Sequence, residues 1–128
     1  MLSIISDYQL LCIAFFVAIM IHNIEEYLWL PKWSEQADKW STALDTQGFR
    51  KTIWAISALL LAITLLALAQ AAIGMYLIAG YAVAMVLNVF KPHLLATIDM
   101  KMYSPGLASA LLFNLPIGSY LVYYSVNE

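Results

Sequence analysis

Charge is what this chain has least of. Only 11% of its 128 residues are charged, against 63% hydrophobic, and mean hydropathy is +0.80. A water-soluble domain carries about a quarter charged residues, so water is a poor solvent for most of this surface. The net charge is −2 with no block of basic residues, which argues against a nucleic-acid partner. There is one cysteine, Cys12. It has no partner in the chain, so a disulfide framework is excluded and a buried, inert thiol is expected. No fingerprint of an organic cofactor is present. The first twenty residues lack a basic leader and an Ala-x-Ala cleavage pattern, so they are expected to stay in the mature protein.

What the chain does have is long apolar runs. Tyr8 to Leu30, Thr52 to Ala69, Gly74 to Phe90 and Gly106 to Tyr124 are each near the roughly 20 helical residues that cross a bilayer core. Continuous rather than alternating runs argue against sheet. The expectation is a single all-α domain: a polytopic membrane protein with four transmembrane helices, spans two and three forming an αα-hairpin near Gln70 and Gly74. In the segment 31–51, Trp33, Ala37, Trp40 and Leu44 recur at helical spacing. This predicts an interfacial amphipathic helix between the first and second spans.

The basic residues sort by side. Lys32, Lys39, Arg50 and Lys51 lie between spans one and two, and Lys91 and Lys101 between spans three and four. With both termini outside, all six face the cytoplasm.

Against this background stands His22-Asn23-Ile24-Glu25-Glu26, within the first span. Each ionisable group near a bilayer centre costs about 2.5 to 3.5 kcal/mol on insertion scales, so a chain that keeps two carboxylates there has a use for them. On a helix His22 and Glu26 share a face and Glu25 flanks it, within an arc of roughly 100°. Asn23 points off the cluster, towards a neighbouring helix. A second polar group, Asn88-Val89-Phe90-Lys91-Pro92-His93, closes the third span. Pro92 cannot bond the Asn88 carbonyl, and a kink there would turn Asn88 and His93 towards the bundle interior. Both clusters fall in the cytoplasmic half. Asn114 reads as an interhelical hydrogen bond, and Asp99 as part of a cytoplasmic loop.

These residues resemble the HXXEE-motif proteins, small prokaryotic integral-membrane proteins without an assigned activity. The matching positions are His22, Glu25 and Glu26, then Asn88 and His93, with Tyr103-Ser104-Pro105-Gly106 as a further shared feature. The resemblance spans most of the chain and implies a location in the prokaryotic inner membrane, but no reaction. Physically, Ser104 and Pro105 suit the N-cap and first position of span four.

Two imidazoles and two carboxylates in a partly dry site suggest a divalent metal, zinc or else iron or manganese. By geometric analogy with zinc proteases, His22, Glu26 and His93 serve as ligands, Glu25 activates a bound water, and Asn88 holds a polar substrate group or the oxyanion. The expected activity is then hydrolysis of a lipophilic or membrane-embedded substrate, an ester, amide or peptide. A di-iron bundle is disfavoured, since it needs Glu-x-x-His on two helices. The alternative is a metal-free protein that binds a lipophilic ligand or relays protons through the same residues. Membrane lipid is the surrounding partner, and a homodimer would thicken the thin wall that 128 residues can build.

Overall fold

The computed structural model describes residues 6–35, 46–101 and 103–127. Ser6 starts the first helix, α1 (Asp7–Ser34), through a reciprocal cap. Its Oγ accepts the Gln9 N–H at 3.1 Å, and Gln9 Oε1 accepts the Ser6 N–H at 3.0 Å. The buried positions Tyr8, Cys12, Phe15, Ile19 and His22 recur every three or four residues, which makes one stripe along the helix.

The first span was expected to stop at Leu30, yet α1 continues through Pro31 to Ser34. Pro31 has no N–H for the carbonyl of Tyr27, four residues back. That carbonyl accepts instead from Arg50 Nε at 3.1 Å, and the guanidinium lies 4.6 Å from the Tyr27 ring centroid. The bond replaces what proline removes and ties α1 to α2 (Thr46–Leu68), which begins at Thr46 rather than Thr52. Most of the predicted interfacial stripe, from Ala37 to Leu44, lies outside the described residues. Trp33 belongs to α1.

The hairpin forms where expected. Gln70 takes a left-handed φ of 60°. Its N–H bonds the Ala67 carbonyl at 2.9 Å, and the Ala71 N–H bonds Leu66 at 3.0 Å. This pairing closes a helix end in a Schellman turn. α3 (Ala72–Asn88) returns against α2, and Gly74 approaches so closely that a Cβ there would lie 2.4 Å from Leu66 Cβ.

Beyond α3 the chain kinks in a wide turn, Val89–Leu94. Lys91 has extended angles, φ −137° and ψ 118°, as expected of a residue before proline. The short α4 (Leu95–Met100) follows, so Asp99 is helical rather than in a loop. After a connecting turn come α5 (Leu107–Ser109), a π-helical turn (Ala110–Asn114) and α6 (Leu115–Asn127). The π turn bonds the Leu115 N–H to Ala110, five residues back, immediately before Pro116 interrupts the ladder.

Among the described residues, four segments are long and apolar enough to cross a membrane: Asp7–Ser34, Thr46–Leu68, Ala72–Met100 and Leu107–Asn127. No strand occurs among the described residues. The main core joins Tyr8, Cys12, Phe15, Ile19, Leu60, Ile63, Ala67, Ile78, Ala82 and Leu121. Outward faces are also apolar, with Leu10, Leu59, Ile73, Leu87, Ile98 and Leu112 exposed. Along α1 the apolar stripe ends at Ile19, and the next buried residue on it is His22. The polar site is thus the core stripe continued with different side chains.

Candidate metal centre

α1 supplies His22 and Glu26 one turn apart on the buried stripe. The kink before Pro92 supplies His93 from the other side. His22 Nε2 lies 3.6 Å from Glu26 Oε2, and His93 Nε2 lies 3.3 Å from the same oxygen. The two imidazoles meet edge to face, 5.1 Å between centroids at 88°. One donor atom from each of the three residues falls within 4.8 Å of the other two. Tetrahedral ligand atoms at about 2.0 to 2.2 Å from one ion sit roughly 3.3 to 3.6 Å apart, so the spacing to Glu26 already fits and the two imidazoles need only draw inwards.

Both histidines are almost fully buried, and the Glu26 side chain is 16% exposed. His93 Nε2 is buried with no hydrogen-bond partner. Glu26 Oε2, 3.3 Å away, faces this nitrogen without the geometry of a hydrogen bond.

The segment Tyr103-Ser104-Pro105-Gly106 closes over the trio. It was expected to cap span four, with Ser104 as N-cap. The helix starts later, at Leu107 behind Gly106, and no side chain caps it. Instead the Leu107 N–H bonds the Ser104 carbonyl at 3.0 Å, with Pro105 and Gly106 between them. Gly106 has φ 100° and ψ −15°, the third position of a type II turn.

Each residue of this segment except Pro105 reaches the site. Ser104 Oγ lies 3.3 Å from His93 Nδ1. The Gly106 carbonyl lies 3.1 Å from His22 Nδ1. A Cβ on Gly106 would come within 2.8 Å of the Cε1 atoms of both imidazoles and 3.3 Å of Glu26 Cγ. Only glycine fits there, by backbone conformation and by space. The Tyr103 hydroxyl donates to Glu25 Oε2.

Glu25 therefore does not face the trio. Its second oxygen, Oε1, accepts from Ser109 Oγ at 2.8 Å, so both oxygens are taken by the connecting turn and α5. Tyr103 lies outside the spans, and its hydroxyl is pushed up to about 12, first by burial and then by the Glu25 carboxylate it bonds. The Ala108 N–H, which donates to that hydroxyl at 2.9 Å, offsets part of this rise.

Asn88 ends α3 without a bond to the trio, and its Oδ1 is buried with no hydrogen-bond partner. Asn114 was read as an interhelical hydrogen bond, but it is fully buried and neither amide atom has a partner. The π turn on which it sits shifts its face relative to a regular helix. Asn23 does reach a neighbour, donating to Ser57 Oγ on α2 at 3.0 Å.

Sequence reasoning missed Ser109 and Thr97. Thr97 Oγ1 donates to the His93 carbonyl at 2.9 Å and accepts the Ser104 N–H at 3.0 Å, which holds the turn against the kink. Neither residue carries a sequence signal of its own. A cavity of about 520 Å³ lies elsewhere, between Tyr8, Gln70, Met75, Tyr76 and Tyr124.

A family model described as a protein of unknown function with HXXEE motif matches residues 13–121. The uncharacterized protein YrkK of Bacillus subtilis (strain 168) is 40% identical over 114 residues, covering 87% of this chain and 72% of that protein. No solved structure matches. The match takes in both halves of the His22, Glu26 and His93 cluster and the turn that covers it, and the chain belongs to the HXXEE-motif family.

Proposed function

We propose that this is an integral protein of a prokaryotic inner membrane that holds a divalent metal on His22, Glu26 and His93 and uses it to hydrolyse a lipophilic substrate. One observation carries the reading. Three ligand-type side chains from two separate helical segments converge with both imidazoles buried, and His93 Nε2 makes no hydrogen bond.

Three protein ligands leave an ion one position for water, as in catalytic zinc sites. A metal held by His22, Glu26 and His93 would acidify that water to a pKa of about 7, so no separate side-chain base would be needed. This matters because Glu25 is engaged by Tyr103 and Ser109. Hydrolysis there would add the water's oxygen to the acyl carbon as the bond to nitrogen or oxygen breaks, its proton leaving on the amine or alcohol. Asn88 is the residue proposed to receive the substrate's polar group. Its unpartnered Oδ1 is an acceptor, so an amide N–H suits it better than an ester, which brings no donor.

Membrane residence is supported by the four apolar segments and their apolar outward faces. The inner-facing side is proposed from charge. Lys32, Arg50, Lys51, Lys91 and Lys101 all fall at the end of the bundle that holds the trio, which the positive-inside rule assigns to the cytoplasm.

The test is elemental analysis of protein purified in detergent, alongside His22→Ala, Glu26→Ala and His93→Ala. One equivalent of zinc, iron or manganese, lost in each variant while helical content persists, supports the centre. No metal after native expression, and none taken up on addition, refutes it and leaves the metal-free ligand-binding or proton-relay reading.

A further inference from the structure

Glu25 carries the same insertion cost as Glu26 but does not face the trio, so its burial needs another explanation. Its Oε1 accepts from Ser109 Oγ at 2.8 Å, and Ser109 Oγ lies 3.1 Å from His22 Nδ1. The Gly106 carbonyl also lies 3.1 Å from that nitrogen. A serine hydroxyl has a single proton. Two acceptors lie within reach of that proton, Glu25 Oε1 at 2.8 Å and the Gly106 carbonyl at 3.1 Å; the shorter contact is the one to the carboxylate, and either choice leaves the Ser109 oxygen to accept. A carbonyl can only accept as well. His22 Nδ1 therefore faces two acceptors at 3.1 Å, closer than the 3.6 Å between Nε2 and Glu26 Oε2, and the neutral ring carries its proton on Nδ1. The lone pair of neutral His22 is then on Nε2, the nitrogen that faces Glu26.

We propose that Glu25 and Ser109 are positioning residues: carboxylate, hydroxyl and imidazole form a chain that locks His22 as its Nδ1–H tautomer and so presents Nε2 as a metal ligand. Free neutral histidine in water prefers the opposite tautomer, with Nε2 protonated and unable to ligate, so the lock has something to overcome. Tyr103 completes it. Its hydroxyl donates to Glu25 Oε2 and itself accepts the Ala108 N–H, which fixes the carboxylate from the exposed side. Partners of this kind orient metal-bound histidines generally, and their loss costs about 10- to 100-fold in affinity or activity. Here the carboxylate acts through a serine on another helix. The HXXEE spacing thereby gives its two glutamates different tasks, Glu26 towards the ion and Glu25 towards the ligand that holds it.

The proposal deepens the metal-centre reading and rests on it for its purpose, but its first test needs no metal. Nitrogen-15 labelling of histidine in the metal-free, detergent-solubilised protein gives signals from only two residues, and His93→Gln assigns them. The expected result is a His22 ring protonated at Nδ1 and bare at Nε2 in the wild type. Ser109→Ala and Glu25→Gln should raise the share of the Nε2–H form, in part only because the Gly106 carbonyl still accepts from Nδ1, with Ser109→Thr restoring the wild-type state. Cobalt(II) binding is the second readout. Ser109→Ala should weaken it about 10- to 100-fold and alter the visible spectrum, while Ser109→Thr keeps both.

A wild-type His22 protonated at Nε2 overturns the lock. So does an unchanged tautomer and unchanged cobalt affinity in both Ser109→Ala and Glu25→Gln. Absence of cobalt binding by the wild type defeats the metal reading alone, because the tautomer measurement still decides the relay. If Ser109→Ala fails to fold, Glu25→Gln and Ser109→Thr carry the comparison.

Discussion

Replacing Gly106 with alanine strikes the site where its tolerance is smallest. The new Cβ would lie 2.8 Å from each imidazole Cε1, whereas carbon atoms in ordinary contact sit about 3.5 to 4.0 Å apart. Both rings, or the turn itself, must therefore give way by about 0.7 Å or more. Functional constellations tolerate about 0.5 Å of misplacement, so the ligand atoms cannot all stay in register. The backbone adds its own penalty, because φ 100° is a region that L side chains avoid at about 1 to 3 kcal/mol. With about 1 to 3 kcal/mol for overpacking, the total is about 2 to 6 kcal/mol. The variant should bind zinc at least about tenfold more weakly, by equilibrium dialysis against a chelator, and melt earlier in detergent. Gly80→Ala is the control. A Cβ there meets nothing within 4 Å, and alanine suits a helix interior better than glycine, so binding and melting should hold or improve. Wild-type zinc affinity and melting in Gly106→Ala would refute the idea that this turn sets the geometry of the trio.

Other consequences are as direct. Pro92→Ala removes the reason for the extended angles at Lys91. α3 should straighten, His93 swing away from Glu26, and metal affinity fall with helical content kept or raised by circular dichroism. Arg50→Ala leaves the Tyr27 carbonyl freed by Pro31 without its donor, at a cost of about 1 to 2 kcal/mol for a partly exposed charged bond, read from thermal melting. Tyr103 should ionise near pH 12 rather than 10 by tyrosinate absorbance, measured as the difference from Tyr103→Phe, and Glu25→Gln should bring it down. Because its folded value is raised, the stability it contributes is present below pH 10 and is lost as pH climbs from about 10 towards 12. Asn23→Ala should cost about 0.6 kcal/mol, typical of a hydrogen bond between apolar helices, in the same melting assay.

Much of this architecture was legible because it is local. Helical periodicity alone puts His22 and Glu26 on one stripe with Tyr8, Cys12, Phe15 and Ile19, since neighbours one turn apart share a face whatever surrounds them. Proline geometry is equally local, so the kink before Pro92 followed from the sequence, and with it the chance that His93 turns inward. The hairpin at Gln70 followed from the length of the apolar run, which exceeds one span.

What the sequence could not decide depends on groups far apart in the chain. Pro31 should end a helix, but Arg50 from the next helix supplies the missing donor. Ser104 has the chemistry of an N-cap, but its hydroxyl lies 3.3 Å from a buried imidazole and no side chain caps the helix that starts at Leu107. Glu25 and Glu26 are adjacent and chemically alike, and nothing in their order says which one meets His93. That choice is made by Tyr103 and Ser109, 78 and 84 residues further on, whose hydroxyls claim Glu25 and leave Glu26 to the two imidazoles. The sequence by itself determined the helices and the polar residues placed on their buried stripes, through short-range sterics and periodicity. Only tertiary packing decided which of those polar groups pair, because hydrogen bonds in a dry interior are settled by whichever donor arrives from another helix.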